Sequence, residues 1–433
     1  MADTKIKLNS TTWSVLFCVW IAQGTVQILQ FGWGMMSPGI MEYLGTDIAQ
    51  MGMVGGIGPW FSVLLTIPVT ILAGRLNPHF AVALVIIILA IGQGLMAFAT
   101  PETGVTLLVV GNIIAQIVNL AIPTLLATVK VKAVPAQKIN LVNGIENMVQ
   151  PIGQFIATMG MTALLTIAGG PVLGWKNVFY VICGILILAA ILYYIIYGNG
   201  SKLTAGINAQ VQGAGSSAGD EETWGHALLS AWKHKEVWLT SIAWPFTTLV
   251  WIAIFFYFPY YAQSVHGLSP ALSGAIVAMI PLFSAIASAT APAITSKAGV
   301  DKPFICIWGI ILPIVYLGMI MTSSVPVMFI CSAIAGYGAY MWVPAAFSNL
   351  YKLGLSQKGV TMAIGTLYSF MAIGSAGAGT VVGALINIIG FKEALILSCF
   401  TPVVFGILQL FVPEMGRKWL DKVMAAQAAA AAQ

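Results

Sequence analysis

Residues 174–181 read GWKNVFYV and residues 390–397 read GFKEALIL, so one short pattern occurs once in each half of the chain. Other segments repeat in the same way. PWFS at 59–62 is matched by PLFS at 281–284, and the proline of IPT at 122–124 is matched by that of VPA at 343–345. Because the matches keep their order at nearly one offset, they indicate that one unit was duplicated with its orientation kept.

The chain is far too apolar for a water-soluble domain. Its 433 residues are 59% hydrophobic and only 7% charged, and its mean hydropathy is +0.93. A soluble domain cannot bury that much apolar surface, so we expect lipid to be its solvent.

Apolar runs predict an all-α integral membrane protein with twelve transmembrane helices, since each crossing needs about 20 apolar residues. The first six helices have approximate limits of 12–38, 48–73, 79–99, 104–130, 139–168 and 176–198. The second six have limits of 236–264, 269–296, 303–321, 326–351, 358–389 and 392–412. The repeat divides the chain into an N-terminal half (1–198), a cytoplasmic linker with an amphipathic helix (199–235), a C-terminal half (236–413) and a cytoplasmic tail (414–433).

Charge placement predicts the orientation. If both termini are cytoplasmic, every Lys and Arg except Lys176 and Lys392 lies on the cytoplasmic side. The positive-inside rule expects this distribution. The net charge of +5 is thereby explained by membrane orientation, and nothing suggests nucleic-acid binding.

Three segments resemble motifs of the major facilitator superfamily. GWKNVF at 174–179 looks like the family's Gly-Trp-basic-x-x-Phe signature before helix 6. AGRLNPHF at 73–80 resembles a degraded form of its turn between helices 2 and 3, without the usual Asp and second Gly, and SKAGVDKPF at 296–304 is the counterpart in the second half. The resemblance covers nearly the whole chain and implies alternating access by rocking of two six-helix halves. It also implies gating roles for Gly74, Arg75, Asp301 and Lys302.

Neither an enzyme nor an ATP-driven pump is expected. The sequence contains no nucleotide-binding loop and no nucleophile–base pair, and its five Cys and four His suggest no metal site. We expect no cofactor. The resemblance implies a secondary transporter, and we expect a monomer in the cytoplasmic (inner) membrane of a prokaryote.

Amide side chains form stripes on three predicted helices. Spacings of i, i+4 and i+7 put them on one helix face, and such a face must contact protein or water because lipid would leave it unpaired. The amides either join helices to one another or line a wet cavity between the halves, and three stripes together favour the cavity. The stripes comprise Gln23, Gln27 and Gln30 in helix 1, Asn112, Gln116 and Asn119 in helix 4, and Asn143, Asn147, Gln150 and Gln154 in helix 5.

The C-terminal half offers aromatic side chains instead. We assign Trp251, Tyr257, Tyr337 and Tyr340 to the substrate cavity, with an interfacial aromatic belt as the alternative. Helices 2 and 11 each read Gly-x-x-x-Gly, at 52–56 and 379–383. This spacing allows close helix approach, either as static packing or as a sliding contact between the halves.

Glu146 is a carboxylate well inside predicted helix 5. A charge at that depth is costly and is a functional candidate by default. It could carry the coupling proton, hold a cationic group of the substrate, or pair structurally with Lys130 or Lys132. We favour the proton-coupling role.

No Arg or Lys lies in the middle of a predicted helix, which disfavours a strongly anionic substrate. We therefore favour proton-coupled uptake of a small polar organic metabolite that is neutral, zwitterionic or weakly charged. Its partners would be that solute, protons and the lipid bilayer. The alternatives are an organic monocarboxylate transporter or exchanger, a drug or metabolite exporter, and a non-transporting membrane receptor.

Overall fold

The computed structural model describes residues 10–122, 125–126, 129, 134, 139–170, 172–198 and 223–415. Within these ranges the chain is helical and forms no strand. We name the helices α1–α12 in the order of the predicted spans, and pieces of one span share a label.

The N-terminal helices are α1 (Ser10–Leu44), α2 (Ile48–Arg75), α3 (Pro78–Ala97), α4 (Thr106–Asn119), α5 (Ile139–Phe155, the π-helical turn Ile156–Gly160 and Met161–Ile167) and α6 (Gly174–Gly198). A short connecting helix, Trp224–Trp232, follows. The C-terminal helices are α7 (Lys235–Ser264), α8 (Pro270–Ala298), α9 (Lys302–Cys306 and Trp308–Met321), α10 (Val325–Met341 and Val343–Tyr351), α11 (Gln357–Ile389) and α12 (Phe391–Cys399 and Thr401–Gln409).

Each predicted span contains a helix at the predicted place. Eleven helices in the described part of the chain are long and apolar enough to cross a membrane, and α4 is a shorter apolar helix. Beyond α4, the described residues Ala121, Ile122, Leu125, Leu126 and Val129 are helical and buried. The all-α membrane fold is therefore confirmed, whereas twelve crossings and cytoplasmic termini stay predictions.

Polar caps fix several helix starts in the connections between spans. The Asp47 carboxylate accepts a hydrogen bond from the backbone N–H of Gln50 (2.7 Å) at the start of α2. Ser269 and Ser356 cap α8 and α11 in the same way. Such caps satisfy backbone donors that no helical carbonyl can reach. Gly299 ends α8 at φ 71°, a left-handed conformation that favours glycine.

The two halves repeat the same helix pairings. In the N-terminal half α1 packs against α6, α2 against α4, and α3 against both α4 and α6. In the C-terminal half α7 packs against α12, α8 against α10, and α9 against both α10 and α12. This is the packing that two copies of one six-helix unit would produce.

In the described part of the chain, the halves meet mainly where α2 packs against α11, α1 against α7, and α5 against α8, with a smaller contact between α2 and α7. We call the end of the molecule where α2 begins the Asp47 face, and the opposite end, where α2 ends, the Arg75 face. The sequence-based orientation predicts that the Arg75 face is cytoplasmic.

The connecting helix packs against α11. Ala227 and Ala231 are buried, and the Trp232 indole N–H donates to the Thr366 hydroxyl (3.0 Å). Its exposed side includes Leu229. The helix is therefore attached through its alanine side to the Arg75-face end of the C-terminal half.

Candidate functional site

Four side chains from both halves meet in the middle of the molecule, and we call them the midplane cluster: Gln27, Gln154, Trp251 and Tyr340. The Gln154 amide donates to the Gln27 side-chain oxygen (3.0 Å), and the Gln154 side chain lies beside that of Tyr340. The Tyr340 and Trp251 ring centroids are 5.3 Å apart. Amides from α1 and α5 thus contact aromatic rings from α7 and α10.

Close packing of α1 on α5 brings the two amides of the cluster together. A Cβ atom at Gly153 would lie 2.8 Å from both the Gln27 Cβ and the Gly24 backbone oxygen. Only glycine leaves room for this approach. Gly153 therefore allows its neighbour Gln154 to lie against Gln27.

The cluster lies deep in the bundle. At 1.5 Å per residue, its members are about 20–25 Å along their helices from the Asp47-face ends. The hydrocarbon layer of a bilayer is about 30 Å thick. The cluster therefore lies at membrane depth, away from either headgroup region.

Gln154 and Gln23, which lies one helical turn from Gln27 in α1, are buried amides whose acceptors lack a partner among the described residues. Gln154 is 2% exposed and Gln23 is 7% exposed. The Oε1 atom of each makes no hydrogen bond. An unsatisfied buried acceptor costs about 1–3 kcal/mol, so a molecule that donates hydrogen bonds here would be stabilised.

The two halves pack tightly between the midplane cluster and the Asp47 face. On α2 and α11, a Cβ atom at Gly56 would lie 2.8 Å from the Ala376 oxygen. The Tyr257 hydroxyl donates to the Gly379 oxygen (2.8 Å). On α5 and α8, a Cβ atom at Gly274 would lie 2.5 Å from the Thr158 oxygen. These contacts close the path from the Asp47 face to the cluster.

Aromatic packing closes the same layer between α1 and α7. The Phe31 and Phe255 rings meet edge to face at 4.7 Å. The Phe255 ring also lies 5.3 Å from Trp251 of the cluster. A Cβ atom at Gly34 would lie 2.8 Å from the Phe256 oxygen, so the two backbones are in direct contact.

A second set of predicted residues lines a cavity inside the N-terminal half. The cavity is small, about 40 Å³, and lies among α1, α2, α3, α4 and α6, with Phe256 of α7 in its wall. Gln30, Asn112 and Gln116 line it, together with Gln93, which the sequence stripes did not include. Asn112 is held in place, because its amide donates to the Val54 oxygen (2.6 Å).

The structure does not bring the remaining predicted residues into either group. Tyr257 is buried at the α2–α11 contact. Tyr337 hydrogen bonds with Thr290 of α8 (3.0 Å) and its ring lies 6.3 Å from Trp308 of α9. Asn119 and Gln150 are partly buried. The side chains of Asn143 and Asn147 lie outside the described residues.

Glu146 lies in α5 and is partly exposed. It shares an i, i+4, i+8 spacing with Gln150 and Gln154, which keeps the three side chains near one helix face. At 1.5 Å per residue it is about 12 Å from Gln154, towards the Arg75 face. The predicted alternative partners Lys130 and Lys132 lie outside the described residues.

The predicted gating turn of the C-terminal half belongs to a charge network at the Arg75 face. Asp301 is 3.4 Å from Lys352, whose ammonium also donates to the Met415 oxygen (2.6 Å). The Glu414 carboxylate accepts from the backbone N–H groups of Asp301 (2.9 Å) and Lys302 (3.0 Å). A carboxylate is stabilised at a helix N-terminus, here that of α9. In the first-half turn, Arg75 is exposed, and the surroundings of Gly74 are outside the described part.

Removing the Lys352 ammonium should destabilise the protein in a pH-dependent way. Burial raises the pKa of the Asp301 carboxyl, the Lys352 ammonium lowers it in part, and Glu414 raises it further. When folding raises the pKa of a carboxyl group, the ionised carboxylate destabilises the folded protein at pH values above that pKa. Protonation removes this destabilisation as the pH falls through the pKa. We expect Lys352→Met to cost about 1–2 kcal/mol at pH 7.5, because the pair is only partly exposed.

The measurement is thermal unfolding of the purified protein between pH 5 and pH 8. The loss of stability should shrink towards pH 5. Lys297→Met is the matched control, because Lys297 is exposed on the same face, and it should leave the unfolding temperature nearly unchanged. A deficit that is constant across the pH range would contradict the role given to Asp301.

Several residues of these sites were missed in the sequence. Gln93 is a single amide in an apolar helix and belongs to no stripe. Lys352 and Glu414 are far from Asp301 along the chain, and only the fold brings them together. In the described residues, no group of three His, Cys, Asp or Glu side chains could hold a metal ion.

Comparison with known proteins agrees with this architecture. The family model described as Major Facilitator Superfamily matches residues 15–354. No curated protein is similar enough in sequence to count as a relative.

Solved structures with this fold include two conformations of a bacterial homolog of the human lysosomal transporter Spinster. The inward-facing, unoccupied form is 17% identical with a TM-score of 0.71, and the alignment covers 93% of this chain and 95% of that one. The occupied form is 14% identical with a TM-score of 0.69, covering 93% and 96%. A D-xylose–proton symporter is 13% identical with a TM-score of 0.68, covering 93% and 98%. This multi-pass membrane protein, with its transporter fold, belongs to the major facilitator superfamily.

Proposed function

We propose that this protein is a secondary active transporter for a small polar organic solute that is neutral, zwitterionic or weakly charged. It takes up the solute with a proton across the cytoplasmic membrane of a prokaryote and works as a monomer. The solute binds at the midplane cluster, and rocking of the N-terminal half (1–198) against the C-terminal half (236–413) exposes it to each side in turn.

One observation carries this proposal: the Gln154 side chain hydrogen bonds with Gln27 of its own half and lies beside Tyr340 of the other half. A solute that replaces these contacts binds both halves at once. Its affinity then differs between conformations, which is what alternating access requires.

The chemistry of the cluster supports a solute with hydrogen-bond donors. The free acceptors on Gln23 and Gln154 favour hydroxyl, amide or ammonium groups. The Trp251 and Tyr340 rings offer an apolar or cation-binding surface beside them. In the described part of the chain, every Lys and Arg lies at a helix end or in a connection, so no fixed cation favours a strongly anionic solute.

Proton coupling is assigned to Glu146, on the α5 face that leads to Gln154. A carboxyl at membrane depth can hold a proton on one side and release it on the other. The D-xylose–proton symporter shows that this fold supports proton coupling. The closed Asp47 face corresponds to an inward-facing state if the Arg75 face is cytoplasmic.

Removing the Gln154 side-chain amide should weaken solute binding about tenfold. Gln154→Leu takes away a donor and an acceptor, and one lost hydrogen bond to a buried polar group costs about 1–3 kcal/mol. Gln27→Leu and Tyr340→Phe should weaken binding in the same direction. Gln409→Leu is the control, because Gln409 is buried in α12 and its Nε2 atom has no partner among the described residues.

The measurement is thermal stabilisation of wild-type and variant protein by a panel of neutral, zwitterionic, cationic and anionic metabolites. A ligand at 100 times its Kd adds about 2.7 kcal/mol of stability. Solutes that stabilise wild type and Gln409→Leu equally, but Gln154→Leu clearly less, would identify the substrate class. If Gln154→Leu binds every ligand as wild type does, the substrate site is elsewhere.

A further inference from the structure

The connecting helix is fixed to α11 at both of its ends. The Lys358 ammonium of α11 lies 5.9 Å from the centre of the Trp224 ring, and the Trp232 indole donates to the Thr366 hydroxyl. The indole of Trp238, near the start of α7, donates to the Trp232 backbone oxygen (2.8 Å). Because both ends are held, the helix presents one defined side away from the protein.

This outward side carries basic groups next to an apolar one. His226, Leu229 and Lys233 are exposed, and their i, i+3, i+7 spacing puts them on one helix face. The Leu229 side chain is 59% exposed. Lys235, at the start of α7, is also exposed. We call Leu229, Lys233 and Lys235 the basic patch.

The basic patch lies at the depth of lipid headgroups. Lys235 precedes Trp251 of the midplane cluster by 16 residues (251 − 235), which is about 24 Å along α7. The hydrocarbon layer extends about 15 Å from the middle of a bilayer, and the headgroups extend to about 20–22 Å. Long lysine side chains at this level place their ammonium groups among the phosphates. The indoles of Trp232 and Trp238, both partly exposed, also suit this interface.

The charge of the patch selects a headgroup with a net negative charge. Neither Lys233 nor Lys235 forms an ion pair within the described part of the chain. Residues 223–239 contain one acid, Glu236, which the helix N-terminus stabilises in the first turn of α7. The acidic run at 220–222 precedes the opposite end of the connecting helix. About 15 Å of helix separates that end from Lys233, more than the screening length of about 8 Å at physiological ionic strength.

We propose that the basic patch binds an anionic phospholipid in the leaflet at the Arg75 face. Lys233 and Lys235 pair with the headgroup phosphate, and Leu229 contacts the acyl chains beneath it. The surface goes beyond the proposed transport function, because its partner is the membrane and not the solute. Binding anchors the end of the segment that joins the two halves, next to α11.

The test is native mass spectrometry of the full-length protein in detergent, titrated with dioleoyl phosphatidylglycerol or with dioleoyl phosphatidylcholine. The two lipids share their acyl chains and differ in net charge. We expect wild type to bind phosphatidylglycerol more tightly. Changing Lys233→Gln and Lys235→Gln together should weaken this binding about 25-fold, at about fivefold per lysine, and leave phosphatidylcholine binding unchanged. Lys233→Arg with Lys235→Arg keeps the charge and should bind as wild type does.

Lys297→Gln with Lys392→Gln is the matched control. Both lysines are exposed, and the pair changes the net charge by the same amount, so it should bind phosphatidylglycerol as wild type does. Equal affinity of wild type for the two lipids would overturn the proposal and leave ordinary apolar contact with lipid. Unchanged phosphatidylglycerol binding after the Lys233 and Lys235 changes, or an equal loss in the control pair, would also overturn it. None of these outcomes depends on solute transport.

Discussion

A single methyl group at Gly379 should slow transport at least tenfold while the protein stays folded. A Cβ atom there would lie 2.5 Å from the Gly56 Cα atom, in the contact between α2 and α11. Such overpacking costs about 1–3 kcal/mol. In the proposed transport cycle this contact exists only when the Asp47 face is closed, so the cost raises the free energy of that state and shifts the population to the open one.

The control for Gly379→Ala lies in the same helix. A Cβ atom at Gly365 would meet nothing within 4 Å, so Gly365→Ala should transport at the wild-type rate. Spin labels at Glu102 and Ser323, both exposed on the Asp47 face, would report the separation of the halves. We expect longer distances in Gly379→Ala only. An unchanged rate and an unchanged distance distribution would show that the glycine contact is static packing.

Glu146→Gln should abolish accumulation against a gradient while solute binding and exchange continue. The amide mimics the protonated carboxyl permanently, and neither binding nor exchange requires the proton to leave. With one proton per solute, a pH difference of one unit can sustain about tenfold accumulation. The variant should lose this accumulation entirely, because the pH difference no longer enters the cycle.

The same variant separates the alternative roles of Glu146. If the carboxylate held a cationic substrate group, binding itself would weaken by about 1.5–3 kcal/mol. If it formed a structural ion pair, stability would fall and pH-driven accumulation would survive. Glu102→Gln, in an exposed loop, is the control for a lost surface carboxylate. Accumulation at the wild-type level by folded Glu146→Gln protein would exclude the coupling role.

The helices and their pairing could be predicted because both follow from features that are visible in short stretches of the sequence. Apolar length fixes the spans, and the repeated motifs predict that both halves pack alike. The glycine motifs of α2 and α11 likewise mark a close contact whose partners the structure shows to be one another. These features require no knowledge of which way a given side chain points.

The site could be predicted only in part, because helical spacing gives side chains a common face but does not give the direction of that face. Tyr337 and Tyr340 are three residues apart, yet Tyr337 contacts α8 and α9 whereas Tyr340 contacts α5 and α7. The stripe in α1 likewise divides, with Gln27 in the midplane cluster and Gln30 in the N-terminal cavity. Neighbouring helices decide between such directions.

A donor-rich neutral or zwitterionic solute should enter with a proton through the midplane cluster. Proteoliposomes that contain a pH-sensitive dye measure this entry when sugars, polyols and amino acids are added one at a time to the outside. We predict that a transported solute acidifies the lumen of wild-type and Gln409→Leu vesicles, but not of Gln154→Leu or Glu146→Gln vesicles. Entry of solute without protons, equal proton flux through Gln154→Leu protein, or transport restricted to strongly anionic solutes would contradict this account.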